Sequence, residues 1–217
     1  MKKILLLLLI FFAQNLFAQK VFTYDDFRYT INENNEITII KYSGYSSSVN
    51  IPSVIEGKPV TTIGNEAFSE CWSITSITIP DSVTAIGEYA FYDCDSLTSI
   101  AIPNSVTAIG ANAFYTCESL ISITIPNSVT TIGDGAFSWC NSLTSITIPN
   151  SVTTIGDGAF EGCKSLTSIT IPNSVKTIGD YAFDSCKSLI IQCNPGSYAE
   201  KYCKKNNIKC LITPDEL

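Results

Sequence analysis

The stretch IPNSVTTIGDGAF fills Ile125 to Phe137, and the same thirteen letters return at Ile148 to Phe160, 23 residues further on. Identical segments at fixed spacing place like side chains in rows, whereas a catalytic site needs unlike groups converging on one point. The repetition therefore points to a surface before a reaction. Outward from this pair the register holds. Gly64, Gly87, Gly110, Gly133, Gly156 and Gly179 each open a G-x-x-A-F-x-x-C segment, and Cys71, Cys94, Cys117, Cys140, Cys163 and Cys186 keep the same 23-residue step. Pro80, Pro103, Pro126, Pro149 and Pro172 do so too. A fixed period of this length is the mark of stacked coils.

In the unit that starts at Pro103, the apolar positions are Val106, Ile109, Ala113, Phe114, Cys117, Leu120, Ile123 and Ile125. The L-x-x-I-x-I-P segment alternates at its end, the period of a strand with one buried face. Proline then stops pairing because it has no N–H to give. Glycine is read as allowing the sharp turn into A-F-x-x-C, a short helical or 3₁₀ corner that packs Ala and Phe inward. One such coil cannot bury its own core, so each strand pairs with its equivalent above and below in a parallel ladder. At ~4.8 Å per coil, six full coils make a slab of roughly 30 Å. The fold class expected is an α/β repeat solenoid.

Its open ends need covers, and the sequence changes at both. F-R-Y-T-I and E-I-T-I-I flank the turn N-E-N-N as a β-hairpin cap, and the first coil carries a five-residue insertion around Gly57 and Pro59. At the other end, Ser197-Tyr198-Ala199-Glu200 has capping-box spacing and opens a short helix through about Lys205. Ile208, Cys210 and Ile212 then alternate as a last strand. The division expected is a leader at 1–18, an N-terminal cap at 19–59, the solenoid at 60–190 and a C-terminal cap at 191–217.

The opening MKKILLLLLIFFAQNLFAQK combines Lys2 and Lys3 with an apolar run from Ile4 to Ala13 and a small residue at Ala18. This is the form of a secretory signal peptide, and the run is too short to span a membrane. No cysteine lies near the cleavage point for lipid attachment, and the closing PDEL lacks the leading Lys or His of a retention signal. Loss of the leader removes Lys2 and Lys3 and lowers the formal charge from -7 to -9. An acidic surface repels phosphate, which disfavours DNA, RNA and anionic lipid as partners. After cleavage no membrane insertion is expected, and the product is secreted or held at the cell surface or envelope.

The L-x-x-I-x-I-P, I-G-x-x-A-F and C-x-x-L blocks, in register over about residues 49 to 190, resemble the BspA-like class of bacterial leucine-rich repeats. Both caps also resemble those of the family. The resemblance implies a leucine-rich-repeat solenoid with a parallel β-ladder, an N-terminal hairpin cap and a C-terminal cap containing a helix. It further implies a secreted or surface-exposed binding module of the kind linked to adhesion, aggregation and binding of host matrix proteins. The chain has fewer repeats than larger members and lacks their cell-wall sorting motif.

Three constellations invite chemistry. A column of cysteines one coil apart does not converge on one ion, and parallel Cβ vectors do not suit disulfides, so these thiols read as small core hydrophobes. Cys193, Cys203 and Cys210 lie outside the period, where one bridge, Cys203 to Cys210, is the candidate. Asp134, Asp157 and Asp180 stack as carboxylates that either hold calcium or, the reading favoured, cap the turn that begins A-F-x-x-C. The chain has no His, which removes the commonest general base, and its Ser and Thr have no basic partner. No catalytic residue, metal site or cofactor is assigned.

Two surfaces remain as candidates. The strand positions between core residues, Ser99, Ser122, Thr124, Ser145 and Thr147 among them, form an uncharged hydroxyl sheet. The variable positions around A-F-x-x-C carry Trp72, Tyr89, Tyr92, Tyr115 and Trp139 among acids, as a binding edge would. Each ring could instead shield its own corner of the coil. The function expected is non-catalytic protein binding or adhesion, to host matrix or another cell surface, with the aromatic edge placed first. The alternatives are a carbohydrate-binding module and a structural envelope component.

Overall fold

The computed structural model describes residues 19–213, so the leader expected at 1–18 and the closing PDEL lie outside the described residues. The chain enters through β1 (Val21–Tyr24), β2 (Phe27–Ile31) and β3 (Ile37–Tyr42), paired antiparallel in that order. The β2–β3 hairpin is the one the alternation at 27–42 predicts, and its turn is tied by Asn32 Oδ1, which accepts the N–H groups of Asn34 and Glu36. Strand β1 lies outside that reading and adds a third strand to the cap. β4 (Ser48–Asn50) follows. The insertion at Gly57 is then a small hairpin of β5 (Val54–Ile55) on β6 (Lys58–Ile63). Its two-residue turn, Glu56 and Gly57, has positive φ at both positions, which matches the twist of the flanking strands.

Each later coil then contributes one three-residue and one two-residue strand. These are β7 (Ser76–Thr78) and β8 (Ala85–Ile86), β9 (Ser99–Ala101) and β10 (Ala108–Ile109), and β11 (Ser122–Thr124) and β12 (Thr131–Ile132). They continue as β13 (Ser145–Thr147) and β14 (Thr154–Ile155), and β15 (Ser168–Thr170) and β16 (Thr177–Ile178). β17 (Ile190–Cys193), α1 (Tyr198–Asn206) and β18 (Lys209–Ile212) close the fold. The longer strands form a parallel sheet in the order β18-β17-β15-β13-β11-β9-β7-β4. The second sheet runs β1-β2-β3-β6-β8-β10-β12-β14-β16, with β5 on β6. One ladder was expected and two are present. Two-residue strands are too short to show a period of their own, so T-x-I before glycine does not announce itself.

The apolar positions expected inside are inside: Val106, Ile109, Ala113, Phe114, Cys117, Leu120, Ile123 and Ile125 are all buried. Rings form a spine through the coils. Phe68, Phe91, Phe114, Phe137, Phe160 and Phe183 stack at centroid separations of 5.1 to 5.4 Å. The caps supply the terminal rings, Tyr42 on Phe68 at 5.4 Å and Tyr202 on Phe183 at 6.1 Å. The buried thiols add a polar link along the same axis: the Cys94, Cys117, Cys140, Cys163 and Cys186 S–H groups each donate to the carbonyl of the preceding coil's Phe at 3.1 Å. Burial pushes Cys117 well above the usual thiol range and Cys140 up to about 12. These are inert core groups.

The corner after glycine is neither helical nor 3₁₀. It is a run of turns in which alternate amides bond within the coil and to the next coil. The Ala113 N–H donates to Gly110 O and Tyr115 N–H to Asn112 O, while Asn112, Phe114 and Thr116 donate to Asp134, Ala136 and Ser138. This zigzag satisfies the backbone without a helix, and it does so by putting the second and sixth residues after each repeat glycine in left-handed conformation. The repeat glycine is itself needed for a different reason. A Cβ on Gly110 would lie 2.6 Å from the Gly87 carbonyl, so only glycine lets adjacent coils approach there.

At the C-terminal end Ser197 Oγ accepts the Glu200 N–H at 3.1 Å, the expected cap of α1. The Glu200 side chain returns to the Gly196 N–H at 2.6 Å, and Asn207 ends the helix with φ 58°. β18 then pairs parallel with β17, the last strand that alternation at 208–212 predicts.

Candidate functional site

The five aromatic residues of the candidate edge fall into three groups. Tyr89, Tyr92 and Tyr115 come together: Tyr92 stacks on Tyr115 at 5.7 Å with planes 15° apart, and Tyr89 meets Tyr92 edge-on at 5.8 Å. With Glu66, Glu70 and Asn112 they line a depression of about 510 Å3 on the first three coils. Burial first, then the Asp93 carboxylate, raises the Tyr92 phenol above its ordinary range, so the ring stays neutral.

Trp72 stands apart, 57% exposed, with its Nε1–H donating to Asp93 Oδ2 at 3.0 Å. Asp93 also accepts Thr116 Oγ1–H at 3.1 Å, so one carboxylate ties the first coil to the third. Trp139 lies over Gly162 of the next coil, where a Cβ would come within 2.8 Å of the indole, and Lys164 Nζ sits 5.1 Å from the ring centroid. Three rings of the five therefore share one depression, and two serve separate corners.

The backbone at this edge is costly. Glu66, Glu70, Tyr89, Asp93, Asn112, Thr116 and Trp139 all have φ between 53° and 62°, where side chains other than glycine are disfavoured by roughly 1–2 kcal/mol each. The equivalent positions of later coils are Gly135, Gly158 and Gly162. Tyr181, at the register of Tyr89 in the last repeat, is another such residue and is 72% exposed. The reading of the sequence passed over it, although its place two residues after Gly179 could have identified it.

The hydroxyl candidates are placed as expected. Ser99, Ser122, Thr124, Ser145 and Thr147 face solvent on either side of a buried Ile, in register from strand to strand. Ile121, half-exposed on the same side, interrupts the Thr column of Thr75, Thr98 and Thr144. The acidic column behaves differently from expectation. Asp134 Oδ1 accepts the Asp157 N–H at 2.9 Å and Asp157 Oδ1 accepts the Asp180 N–H at 2.8 Å. These carboxylates bridge coils instead of capping their own turns.

The three cap thiols come together. Cys210 Sγ sits 2.9 Å from Cys193 Sγ, since both project inward from adjacent strands β17 and β18. Cys203 approaches the pair from the buried face of α1. Cys210 thus meets Cys193 and is also within hydrogen-bond reach of Cys203, the partner expected from the sequence. Among the described residues no group of three His, Cys, Asp or Glu is arranged to hold a metal ion, and no helix is long and apolar enough to cross a membrane.

Solved structures share this architecture. A leucine-rich cell surface protein from Faecalibacterium prausnitzii is 35% identical with a TM-score of 0.64, covering 81% of this chain and 55% of its own. A leucine-rich-repeat protein of T. pallidum is 28% identical with a TM-score of 0.67, covering 90% of this chain and 100% of its own. One from Bacteroides ovatus is 33% identical with a TM-score of 0.60, covering 79% and 55%. The chain thus spans about half the length of the Faecalibacterium and Bacteroides proteins. No curated protein matches it. The family description "BspA type leucine rich repeat region" matches in overlapping segments at residues 15–141, 61–190 and 108–211, with six copies. With its 23-residue coils, two parallel ladders and phenylalanine spine, the chain belongs to the BspA-type leucine-rich-repeat family.

Proposed function

We propose that this protein is an exported, non-catalytic module that binds another protein through its aromatic edge, at the cell surface or after release, and that it serves adhesion. The observation that carries the reading is conformational. Tyr89, Asn112 and Trp139 occupy left-handed positions that the same fold fills with glycine in other coils. Strain that a glycine would relieve is retained at this edge, with Tyr89 exposed and Asn112 and Trp139 half-buried. Leucine-rich-repeat arrays bind proteins through many contacts on a rigid surface, and the Faecalibacterium relative is a cell surface protein.

The division into leader, caps and solenoid fits this role, with export through residues 1–18 and the solenoid as the presenting element.

The test is binding of the mature chain, Gln19 to Leu217, to parallel panels of extracellular-matrix proteins and glycans by surface plasmon resonance. A saturable protein hit weakened by Tyr89→Gly or Trp139→Gly supports the reading. A hit confined to glycans, or protein binding indifferent to these changes, removes the aromatic edge as the protein-binding surface. Self-association with silence on both panels would point to an envelope component.

A further inference from the structure

We propose that the depression formed by Tyr89, Tyr92 and Tyr115 with Glu66 and Glu70 receives a cationic side chain, an arginine or lysine, from a basic segment of a partner protein. The inference rests on the reading of the aromatic edge as a protein-binding surface and names the chemistry that surface selects. Three observations converge on it.

The first is the lining. Phenol rings offer electron-rich faces to a cation, and guanidinium groups stack on them especially well. Here a stacked pair and an edge-on third ring, Tyr89, line the depression together with the two carboxylates.

The second is that, among the described residues, neither carboxylate is held in an ion pair. Among the described residues the ion pairs are Lys204–Glu200 and Lys205–Asp180, both at the C-terminal end of the molecule. Glu66 and Glu70 have none. Lys41 Nζ donates to the carbonyl of Ser69, which also lines the depression, at 3.4 Å, and forms no ion pair with either carboxylate. The two carboxylates are held by left-handed backbone beside the rings, leaving them for a ligand to neutralise.

The third is the field around the site. Residues 59–163 contain ten Asp and Glu and no Lys or Arg, whereas residues 19–58 are net negative by one and residues 164–217 are net positive by two, so the negative charge is concentrated in the central coils. A one-signed stretch several coils long steers an extended basic segment toward the depression and fixes its register. A small monovalent cation would gain nothing from that length, which is why the occupant is assigned as polypeptide.

The experiment measures fluorescence anisotropy of a labelled oligoarginine peptide against the mature chain, with a citrulline peptide of equal length as the uncharged control. Glu66→Gln with Glu70→Gln is expected to weaken oligoarginine binding about tenfold, and Tyr92→Leu by a similar factor. Asp81→Asn with Asp134→Asn removes the same charge elsewhere and is expected to change binding less than about twofold. Tyr92→Phe keeps the stack and is expected to bind as wild type, and thermal melts of every variant separate lost binding from lost fold.

Equal binding of the citrulline peptide overturns the proposal, as does equal loss in both double variants, which would mean a diffuse field without a site. Competition by tetramethylammonium as effective as by oligoarginine would overturn the polypeptide assignment. The two levels fail separately. A matrix-protein partner indifferent to these substitutions sinks the cation site and leaves a protein-binding module, whereas oligoarginine held in the depression with silent panels sinks adhesion and leaves the site.

Discussion

The Tyr202 ring meets Phe183 edge-on, with centroids 6.1 Å apart and planes at 73°, whereas every earlier pair in the column from Tyr42–Phe68 onward lies within 25° of parallel. The turn of the last ring ends the stack. A flat terminal phenylalanine would offer its face to another coil, and Tyr202, carried by α1, covers it. Phe114→Ala should therefore cost about 3–5 kcal/mol and lower the whole unfolding transition. Tyr202→Ala should act locally. Urea unfolding reports the first, and hydrogen exchange confined to residues 186–213 reports the second; a global loss in both variants would contradict the division.

Gly162 and Ser185 occupy the same register in successive coils, with φ of 71° and 60°. Gly162→Ala adds a Cβ both strained and 2.8 Å from the Trp139 indole, and should destabilise by about 1–2 kcal/mol. Ser185→Gly relieves the same strain and should stabilise by about 0.5–1 kcal/mol. Opposite shifts in melting temperature are the expected result.

Oxidation should join Cys193 to Cys210 and leave Cys203 as the thiol. The ring so closed spans α1 and would stabilise the terminal cap by about 3 kcal/mol on chain-entropy grounds. Peptide mapping under non-reducing conditions, after incubation with glutathione disulfide, identifies the link. Recovery of Cys203 linked to Cys210 instead would refute this pairing.

Stability should be flat between about pH 5.5 and 8, because the chain has no histidine to titrate there. It should fall as pH rises from about 9 to 12. The fold holds Cys117 and Cys140 as protonated thiols, raised above their unfolded values by burial, so the unfolded chain binds fewer protons in that window and base favours it. The slope of unfolding free energy against pH measures this, and Cys140→Val should reduce it by about one proton.

Asp157 receives the Asp180 N–H through Oδ1, and Asn65 does the same for the Glu88 N–H at 3.0 Å. An amide oxygen therefore suffices. Asp157→Asn should be near neutral, whereas Asp157→Ala should lose about 1 kcal/mol with the inter-coil bond. Calcium added in excess should leave both melting temperatures in place; a rise specific to the wild type would revive a metal role for this column.

Legibility followed periodicity. Phe114, Cys117 and Leu120 recur at one spacing, so their burial could be read from letters alone, and the hairpin at 27–42 could be read from alternation. The ladder at Thr131–Ile132 is two residues long and carries no period. The left-handed corners were hidden for another reason: Tyr89 and Trp139 stand where glycine would announce the conformation, so composition conceals the strain. The gathering of Tyr89, Tyr92 and Tyr115 depends on side-chain directions across two coils, which spacing alone does not set. Cys193 and Cys210 meet because β18 joins β17 in parallel, a pairing that follows from where α1 returns the chain.

The inter-coil hydrogen bonds all run along the solenoid axis, in two sheets and in the zigzag of turns. Tension between the two ends of the chain therefore loads them coil by coil, as a zipper is opened, and not all together in shear. Each coil that peels away releases 23 residues, roughly 80 Å of extended chain. A molecule tethered at one end and bound at the other would lengthen in steps under load before it let go.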